Sequence, residues 1–444
     1  EAADLLQAGL SGSDVEFSGC STDTRSLTKG SLFIALRGEN FDGHDFVEQA
    51  IQGGAVAVLV EHEPGDKAVP VIIVEDSKGA MGKLASAWRN KFSLPVIAVT
   101  GSNGKSTVKE MLASILSQQA SVLSTYGNLN NDIGVPLTLF GLNEDHRFAV
   151  IEMGANHPGE ISKLTEITRP DIALITLCAP AHIEGFGSID GVADAKAEIF
   201  TGLSEDGVAI INADDSYAKV WLKKIDGHKR LTFGIDNSAD VSALDLHMDE
   251  QSGCTQFTLT TACAQVSVKL NLLGLHNVRN ALAAAACCIA LNIPLPQIRD
   301  GLQLMQPVKG RLQSKPGLKN SRIIDDTYNA NPASLEVAIQ VATATSKRSW
   351  LVMGDMGELG KIAIASHQQA GESARAAGIE RLYALGEVSK HAVDAFGNGA
   401  RHFLNKEELI ATLKTELNDG LTVLVKGSRA MAMEEIVQSL VEGA

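Results

Sequence analysis

A glycine-containing turn between an apolar run and a helical pattern is the stretch best suited to chemistry. The run at residues 96–99 is typical of a buried strand, and Gly101 and Gly104 bracket the turn that follows. From Lys105 onward, apolar residues recur at helical spacing. Backbone N–H groups and the positive end of a helix face phosphates in such loops. The structural alternative is a turn that only connects a strand to a helix.

This loop carries the side chains that a nucleotide and its metal ion require. Lys105 is placed to contact the β- and γ-phosphates, and the hydroxyl of Ser106 or Thr107 is placed to ligate Mg²⁺. The standard pattern has a glycine five positions before Gly104, where this chain has Val99. We therefore predict a shortened phosphate-binding loop, formed by Gly101, Ser102, Asn103, Gly104, Lys105, Ser106 and Thr107.

Carboxylate and amide side chains follow the predicted loop along the chain. Glu152 ends an apolar strand at residues 148–152, and a buried carboxylate facing a phosphate loop suits a Mg²⁺ ligand. Residues 126–136 are rich in amides and glycine, which suits donors directed at a ligand. His182 follows another strand, and by itself it is more typical of a packed or surface histidine.

Three further segments have polar residues beside predicted strands or helices. Loops at residues 21–25 and 37–46 combine Gly, Asp, Arg and His, which is typical of small-molecule contacts and of ordinary turns. Asn277 and Asn280 lie on one face at the start of an alanine-rich helix. These two amides either cap the helix or hold a ligand.

The elements that position these residues form three predicted α/β domains. Strands and helices alternate throughout, which favours parallel sheets with ligands at the strand carboxyl ends. Residues 1–93 form a small N-terminal domain, and residues 94–312 form a central P-loop-type domain. Residues 313–444 form a C-terminal Rossmann-like, doubly wound domain. Within the central domain, residues 231–270 alternate with little helix, which predicts a small antiparallel appendage.

Composition excludes several classes of function. The chain has 444 residues and a net charge of −15, which argues against nucleic-acid and membrane-surface binding. Its six cysteines form no C-x-x-C pair, so we expect free thiols in a reducing cytosol. No apolar run approaches the ~18 residues of a membrane span, and no leader is visible. We expect a cytoplasmic monomer without membrane insertion.

Several stretches match one protein family in the expected order along the chain. This set resembles the Mur ligases, which are ATP-dependent amide-forming ligases of peptidoglycan synthesis, over essentially the whole chain. The matching stretches are Thr100-Gly-Ser-Asn-Gly-Lys-Ser-Thr107, Glu152-Met-Gly154, His182, Lys196-Ala-Glu198, Leu275-His-Asn-Val-Arg-Asn280, Gly310-Arg311, Asp325-Asp326 and Lys426-Gly427.

Within the family, other stretches resemble the member that adds D-alanyl-D-alanine to UDP-N-acetylmuramoyl-tripeptide. The Asp-Asn-Pro-Arg motif of the sibling that recognises diaminopimelate is absent. Either meso-diaminopimelate or lysine is compatible with the third position of the tripeptide. The stretches that carry this resemblance are Asn128-Leu-Asn-Asn-Asp-Ile-Gly-Val-Pro136, Glu152-Met-Gly-Ala-Asn-His157, Asp326-Thr-Tyr-Asn-Ala-Asn331 and Gly354-Asp-Met-Gly-Glu-Leu-Gly360.

The resemblance implies a mechanism through an acyl phosphate. ATP transfers its γ-phosphoryl group to the terminal carboxylate of the tripeptide, and the amine of D-Ala-D-Ala then displaces phosphate. Such a transfer needs positioning and positive charge, which Lys105 and Mg²⁺ supply. Ser106 and Glu152 are the implied ligands of one Mg²⁺. His182 and a carbamylated Lys196 are implied to hold a second, because a carbamate offers oxygens where an ammonium repels the cation.

The resemblance also distributes the substrates over the three domains. Asn277 and Asn280 contact adenine, Arg311 contacts the phosphates, and Asp325 or Asp326 contacts the ribose. The implied contacts of the uridine nucleotide are Ser21, Asp23, Thr24, Arg25, Arg37, Gly38, Asp42 and His44. Those of the muramoyl peptide are Asn130, Asn131 and Asp132. Those of D-Ala-D-Ala are Asn329, Asn331, Lys426 and Arg429.

Three other functions remain as alternatives. Another ligase of the superfamily is the nearest, and the motifs above disfavour it. A nucleotide-binding switch protein would bind ATP without phosphate release that depends on the dipeptide. A small-molecule kinase would release a phosphorylated product without needing an amine.

Overall fold

The computed structural model describes residues 1–38, 41–65, 68–225, 227–249 and 253–441. Three β-sheets organise these residues, with five, nine and six strands in chain order. Most strand pairs are parallel, and helices join them, which confirms the predicted three-domain α/β fold. In the described ranges, no helix is both long enough and apolar enough to cross a membrane.

The first sheet is mixed and lies in the N-terminal part of the chain. Its strands and helices are α1 (Ala2–Leu6), β1 (Gly9–Ser11), β2 (Cys20–Ser21), β3 (Leu32–Ile34), α2 (Val47–Gln52), β4 (Ala57–Val60), β5 (Val71–Ile73) and α3 (Ser77–Arg89). The spatial order is β1-β5-β4-β3-β2. The pairs among β2 to β5 are parallel, whereas β1 is antiparallel to β5. A 3₁₀ turn at Gly43–Phe46 precedes α2.

The central sheet spans the middle of the chain. Its strands are β6 (Val96–Thr100), β7 (Ser121–Ser124), β8 (His146–Glu152), β9 (Ile172–Ile175), β10 (Val208–Asn212), β11 (Lys229–Gly234), β12 (Val241–Asp249), β13 (Cys254–Thr261) and β14 (Gln265–Leu270). Its helices are α4 (Lys105–Leu116), α5 (Gly134–Phe140), α6 (Glu160–Thr168), α7 (Ile183–Phe186), α8 (Ile189–Ala197), α9 (Ala218–Lys224), α10 (Leu275–Ala290) and α11 (Leu295–Leu304).

The strand order of this sheet shows where the antiparallel appendage begins. The order is β14-β13-β12-β11-β10-β9-β6-β8-β7, and only the β12–β13 and β13–β14 pairs are antiparallel in the described residues. Strand β11 pairs in parallel with β10 and extends the main sheet. The prediction that placed Thr232 and Phe233 in the appendage was therefore wrong. Phe233 is buried in the core of the main sheet, and that packing decides its partner.

Both faces of the central sheet are covered, which explains its continuous apolar strands. All five residues of β6 are buried. Helices α4 and α10 pack on one face through residues such as Met111 and Leu282. Helices α5 and α6 pack on the other face through Leu139 and Ile161. The parallel strands β6, β8, β9 and β10 therefore end at one shared edge of the sheet.

The C-terminal sheet has six strands in the order β15-β16-β20-β17-β18-β19. All its neighbouring pairs are parallel except β15–β16. The ends of β16, β17 and β20 lie at the edge that faces the central sheet. The elements are β15 (Gln313–Gly317), β16 (Ser321–Asp326), α12 (Pro332–Thr345), β17 (Ser349–Gly354), α13 (Ala363–Ala376), β18 (Arg381–Leu385), α14 (Lys390–Phe396), β19 (Ala400–Phe403), α15 (Lys406–Glu416), β20 (Thr422–Lys426) and α16 (Glu434–Leu440).

Candidate active site

The predicted phosphate loop connects β6 to α4 and depends on its two glycines. Both have positive φ, at 147° for Gly101 and 85° for Gly104. A Cβ atom on Gly101 would lie 1.9 Å from Thr176 Oγ1, and one on Gly104 would lie 2.5 Å from Asn280 Oδ1. Only glycine fits either position, because its neighbours come from two other elements. The amino end of α4, which carries the positive end of the helix dipole, opens toward the cleft.

The side chains of the loop are held in place by nearby segments. Lys105 Nζ donates to Gly101 O at 2.8 Å, and burial lowers the pKa of this lysine. Ser102 Oγ donates to Ala179 O at 2.9 Å, which ties the loop to the segment after β9. Ser106 Oγ accepts from Arg311 Nη2 at 2.9 Å. This last hydrogen bond joins the loop to the segment that leads into the C-terminal sheet.

Glu152 has the environment that a metal-binding carboxylate requires. It is 1% exposed, and its Oε1 accepts from Asn130 Nδ2 at 2.8 Å. In the described part of the chain, no hydrogen-bond partner reaches Oε2. A buried carboxylate oxygen without a donor fits a cation. The described residues contain no cluster of three or more His, Cys, Asp or Glu side chains, so phosphate oxygens and a hydroxyl would complete the shell, as is usual for Mg²⁺.

Lys196 is a buried lysine on α8, in the core beside the phosphate loop. It is 2% exposed, and its Nζ lies 5.5 Å from the centre of the Phe186 ring. Within the described ranges, the structure shows no hydrogen bond or ion pair from Nζ. Burial, followed by the charge of Lys105, lowers the pKa of Lys196 to about 7. A neutral amine is the form that reacts with CO₂, so this environment fits a carbamate.

His182 precedes α7 and lies at the junction with the C-terminal sheet. Its backbone is left-handed, with a φ of 52°, and its side chain is partly buried. Its Nδ1 lies 2.5 Å from Oε2 of Glu358. The close approach of His182 lowers the pKa of Glu358. The two residues come from different sheets, so this contact bridges two domains.

The predicted ribose-binding carboxylates lie at the end of β16 and are already paired. Asp325 Oδ2 accepts from Lys315 Nζ at 2.6 Å, and its Oδ1 accepts from Thr327 Oγ1 at 2.6 Å. Asp326 Oδ1 accepts from the backbone N–H of Leu312 at 3.1 Å, and its Oδ2 accepts from Lys426 Nζ. These partners hold both carboxylates in fixed orientations beside the cleft.

Asn277 and Asn280 form a small amide cluster on α10. Asn277 Nδ2 donates to Leu273 O at 2.8 Å, and Asn280 Nδ2 donates to Asn277 Oδ1 at 3.4 Å. Both residues are less than one-tenth exposed, and both line the cleft. Neither amide caps α10, because the N-cap is Gly274 and no side chain hydrogen-bonds there. Each amide has polar atoms left for a further partner.

A single cleft of about 1280 Å³ runs between the central and C-terminal sheets. It also reaches Lys78 on α3 and Asp132, which form an ion pair at 2.7 Å. The structure therefore gathers residues that are distant in the sequence. The predicted site residues that line this cleft are Ser102, Asn103, Gly104, Lys105, Ser106, Thr107, Asn130, Asn131, Asp132, Glu152, His182, Asn277, Asn280, Arg311, Asp325, Asp326, Asn329, Asn331, Lys426 and Arg429.

The predicted contacts of the uridine nucleotide lie apart from this cleft. Asp23 pairs with Arg25 at 2.7 Å, which lowers the pKa of the aspartate to about 2. His44 is satisfied by the protein, since Nδ1 contacts Asp42 Oδ1 and Nε2 accepts from the Glu61 N–H. Of the predicted segment at residues 37–46, Glu39 and Asn40 lie outside the described residues. The predicted site residues that do not line the cleft are Ser21, Asp23, Thr24, Arg25, Arg37, Gly38, Asp42 and His44, together with Gly101 and Lys196.

His276 and Tyr328 are among the cleft residues that were not singled out from the sequence. His276 precedes Asn277 on α10, and burial lowers the pKa of its imidazole to about 4. Tyr328 follows β16, and its ring centre lies 4.2 Å from Cζ of Arg311. Both lie inside stretches that carry the family resemblance, so the sequence already marked the two segments that contain them. Their roles depend on packing between domains, which a local pattern does not contain.

Comparison with protein families finds three matches in chain order. The Mur ligase family catalytic domain matches residues 16–89, and the Mur ligase middle domain matches residues 99–288. The glutamate ligase domain of the Mur ligases matches residues 310–429. The matched segments contain the phosphate loop, Glu152, His182 and the strand ends of the C-terminal sheet.

Individual proteins agree with these matches. The UDP-N-acetylmuramoyl-tripeptide--D-alanyl-D-alanine ligase of Escherichia coli is 46% identical over 442 residues, with 99% of this chain and 97% of the relative covered. The enzyme of that name from Bacillus subtilis is 37% identical, with 96% and 93% covered.

Two solved structures extend the comparison to the fold. Crystal structure I of MurF from Acinetobacter baumannii superposes with a TM-score of 0.92 at 35% identity, covering 98% of this chain and 97% of that one. Thermotoga maritima MurF in complex with ADP gives a TM-score of 0.83 at 27% identity, covering 95% and 96%. With these similarities over nearly its whole length, the chain belongs to the Mur ligase family.

Proposed function

We propose that this protein joins D-alanyl-D-alanine to UDP-N-acetylmuramoyl-tripeptide, with ATP as the energy source and an acyl phosphate as intermediate. The product is the UDP-MurNAc-pentapeptide of peptidoglycan synthesis. The printed names of the relatives support the reaction, and a MurF structure with bound ADP supports the use of ATP. The observation that carries the proposal is the cleft that joins the phosphate loop, Glu152, His182 and the C-terminal strand ends.

The phosphate loop positions ATP for transfer of its γ-phosphoryl group. Lys105 exchanges its hydrogen bond with Gly101 O for phosphate oxygens, and the N–H groups that begin α4 contact the same anion. Arg311, on the segment that leads into the C-terminal sheet, supplies a second positive charge. Its guanidinium contacts the Ser106 hydroxyl and the Tyr328 ring. Two anions approach each other in this step, so fixed positive charge lowers its barrier.

Two sets of residues are suited to hold Mg²⁺. Glu152, through its unpartnered Oε2, and the hydroxyl of Ser106 or Thr107 form the first set. His182 and a carbamate on Lys196 form the second. When bound, Mg²⁺ would neutralise charge on the phosphate oxygens. Carbamylation is favoured by the lowered pKa of Lys196, which leaves a large neutral fraction near pH 7.

The nucleoside of ATP is proposed to bind between α10 and the end of β16. Asn277 and Asn280 offer amide groups to the adenine, and Asp325 or Asp326 accepts from the ribose hydroxyls. Lys315 and Lys426 fix these carboxylates before the nucleotide arrives. Because the contacts come from two sheets, closing the cleft completes the site and excludes water from the acyl phosphate.

The two remaining substrates are assigned to the domains on either side of the ATP site. The uridine nucleotide is proposed to bind the first domain, at residues 1–93, through the loops at residues 21–25 and 37–46. The muramoyl peptide then reaches the central domain, at residues 94–312, through Asn130, Asn131 and Asp132. The dipeptide binds the third domain, at residues 313–444. Its proposed contacts are Asn329, Asn331, Lys426 and Arg429.

Charge and substrate chemistry support the remaining parts of the proposal. The partners are small molecules that carry nucleotides and peptides, and the net charge of −15 disfavours nucleic acid. The nucleotide substrates of this reaction are cytoplasmic metabolites, so we assign the protein to the cytoplasm. We propose a monomer, since one chain supplies residues to every wall of the cleft.

Phosphate release tests this function. ATP, Mg²⁺ and UDP-N-acetylmuramoyl-tripeptide are incubated with the protein, with and without D-Ala-D-Ala. The expected result is phosphate only with the dipeptide, together with a product heavier by the dipeptide less water. Parallel assays with the meso-diaminopimelate and lysine tripeptides identify the third residue. Release that ignores the dipeptide would contradict the proposal and favour the kinase alternative.

A further inference from the structure

A second, smaller cavity opens beside His182 on the C-terminal side of the main cleft. Its volume is about 200 Å³, and its walls come from the loops that follow β16, β17 and β20 and from Ala181 and His182. His182, Asn329, Asn331 and Arg429 line both cavities, so the smaller one is a side chamber of the cleft. One water occupies ~30 Å³ in the liquid, so the chamber holds roughly the volume of seven waters. That volume is on the scale of a dipeptide and is too small for a muramoyl nucleotide.

Opposite charges lie on two loops of this chamber. The guanidinium of Arg429 is 64% exposed, and its Nη1 donates to Glu434 at 2.7 Å, which leaves its other nitrogens available. The carboxylate of Glu358 lies on the loop after β17 and is 56% exposed. The hydroxyl of Ser428 also lines the chamber and makes no hydrogen bond with the described residues. A small zwitterion, with an ammonium and a carboxylate at its two ends, is complementary to this arrangement.

The loop that carries Glu358 is fixed against the central domain. Glu358 has a φ of 60°, which costs a non-glycine residue on the order of 1 kcal/mol or more. Two residues later, a Cβ atom on Gly360 would lie 3.3 Å from the side chain of Glu184 on α7. This packing holds the Glu358 carboxylate next to His182. A ligand ammonium bound there would lie at the opening between the chamber and the main cleft.

We propose that Glu358 binds the ammonium group of the incoming dipeptide and so holds its amino end at the opening to the main cleft. This inference rests on the proposed function, because it names the residue that orients one substrate of that reaction. Arg429 and Ser428 receive the carboxylate at the opposite wall. Glu358 is thereby a specificity residue, because it selects an acceptor with a free amino end.

Calorimetry on the wild type and Glu358→Gln tests the proposal. Each protein is saturated with UDP-N-acetylmuramoyl-tripeptide, Mg²⁺ and a non-hydrolysable ATP analogue. It is then titrated with D-Ala-D-Ala and with the desamino analogue N-propionyl-D-alanine. The wild type is expected to prefer D-Ala-D-Ala by at least ~10-fold, the scale of one charged hydrogen bond. In Glu358→Gln, that preference falls to about one, while the affinity for the desamino analogue changes little.

Two controls distinguish binding of the ammonium from other roles of Glu358. Glu372→Gln changes an exposed carboxylate on α13, outside both cavities, and retains the wild-type preference. Thermal melting of both variants checks that the fold is intact. An unchanged preference in Glu358→Gln would overturn the proposal. So would equal losses for both ligands, since Glu358 would then act only by positioning His182.

Steady-state kinetics separate failure of this inference from failure of the proposed function. The KM for D-Ala-D-Ala is expected to rise at least ~10-fold in Glu358→Gln, with little change in the KM of the tripeptide substrate. A rise in the tripeptide KM instead would mean that Glu358 binds an ammonium on the tripeptide, which overturns the assignment. If the wild type consumes no D-Ala-D-Ala at all, the proposed function fails first.

Discussion

Asn103 of the phosphate loop and Asn331 at the start of α12 form an amide pair that bridges two domains. Asn331 Nδ2 donates to Asn103 Oδ1 at 2.9 Å, and Asn103 Nδ2 donates to Asn331 Oδ1 at 3.4 Å. Asn331 also caps α12, since its Oδ1 accepts from the Ser334 N–H at 2.9 Å. One side chain thus fixes the helix and joins it to the loop that holds the phosphates.

Removing this amide pair should weaken catalysis without unfolding α12. In Asn331→Ser, the hydroxyl still caps the helix, but it is too short to reach Asn103. We expect kcat/KM for ATP to fall about fivefold, since a neutral hydrogen bond contributes about 1 kcal/mol. Steady-state assays of Asn103→Ser and of the double variant complete the cycle. If Asn331→Ser lowers kcat/KM by the same factor in the Asn103→Ser background as in the wild type, the pair has no role in catalysis.

Replacing Glu152 should affect activity and stability in opposite directions. Glu152→Gln removes a buried charge with an unpartnered oxygen, so the melting temperature without Mg²⁺ stays the same or rises. Activity falls by on the order of a hundredfold, the scale of losing one electrostatic stabiliser. In thermal melts with nucleotide, Mg²⁺ stabilises the wild type but not the variant. The control is Glu166→Gln on the exposed face of α6, and a Mg²⁺ response in Glu152→Gln would refute the metal assignment.

Activity is expected to depend on dissolved CO₂ through Lys196. A lysine with an ordinary pKa of ~10.4 is almost wholly protonated at pH 7, whereas the pKa of Lys196 is about 7. Removing CO₂ should lower activity, and added bicarbonate should restore it. Isotopically labelled bicarbonate should give a carbamate signal in nuclear magnetic resonance.

Lysine variants assign the carbamate signal to one residue. The signal should disappear in Lys196→Arg and persist in Lys109→Arg. Lys109 is also buried, but its Nζ donates to Thr125 O at 2.7 Å and pairs with Glu110. A signal that survives in Lys196→Arg would show that another group is modified.

His276 should make the stability of the cleft region depend on pH in the acidic range. Burial lowers the pKa of its imidazole to about 4 in the folded chain, against ~6.5 when unfolded. As the pH falls, the unfolded chain therefore binds a proton at a higher pH than the folded chain does. The stabilisation that neutral His276 gives the folded chain is complete above about pH 6.5 and is lost as the pH falls toward 4. Between pH 7 and pH 5, this loss amounts to about 1–2 kcal/mol.

The His276 effect is measured by urea unfolding at both pH values. In His276→Gln, the difference in unfolding free energy between pH 7 and pH 5 should shrink by that amount. His157→Gln, at an exposed site on the segment before α6, should leave the difference unchanged. Equal pH dependence in the wild type and His276→Gln would show that His276 is not the responsible group.

Much of the site could be predicted because its signals are local. Strand β6, two glycines and the apolar spacing of α4 lie within about twenty consecutive residues. They predict a strand, a turn and a helix in that order. Glu152 was found because it directly follows the apolar run at residues 148–151. The carboxyl ends of parallel strands meet at one edge of the sheet. Residues at these ends therefore lie near each other regardless of the conformation of the loops.

Other features depended on partners that are distant in the sequence. Strand β11 was assigned to the appendage because its residues alternate, yet β10 pairs with it in parallel. The short strands β1 and β15 were not predicted. The latter contains Pro316, and a proline is tolerated there because β15 is an edge strand of its sheet. His44 Nε2 accepts from the Glu61 N–H, 17 positions away, and the contact of His44 with a substrate stays a prediction.

Residue types at short, regular spacings were enough to predict the α/β class, the phosphate loop and the family. The folded chain was needed to show that Asn103 meets Asn331, that His182 meets Glu358, and that a side chamber opens between Glu358 and Arg429. The two residues of each pair lie at least 71 positions apart in the sequence, and no local periodicity encodes the distance between them. Burial likewise lowers the pKa of Lys196, because the surrounding core excludes the water that would stabilise its charge.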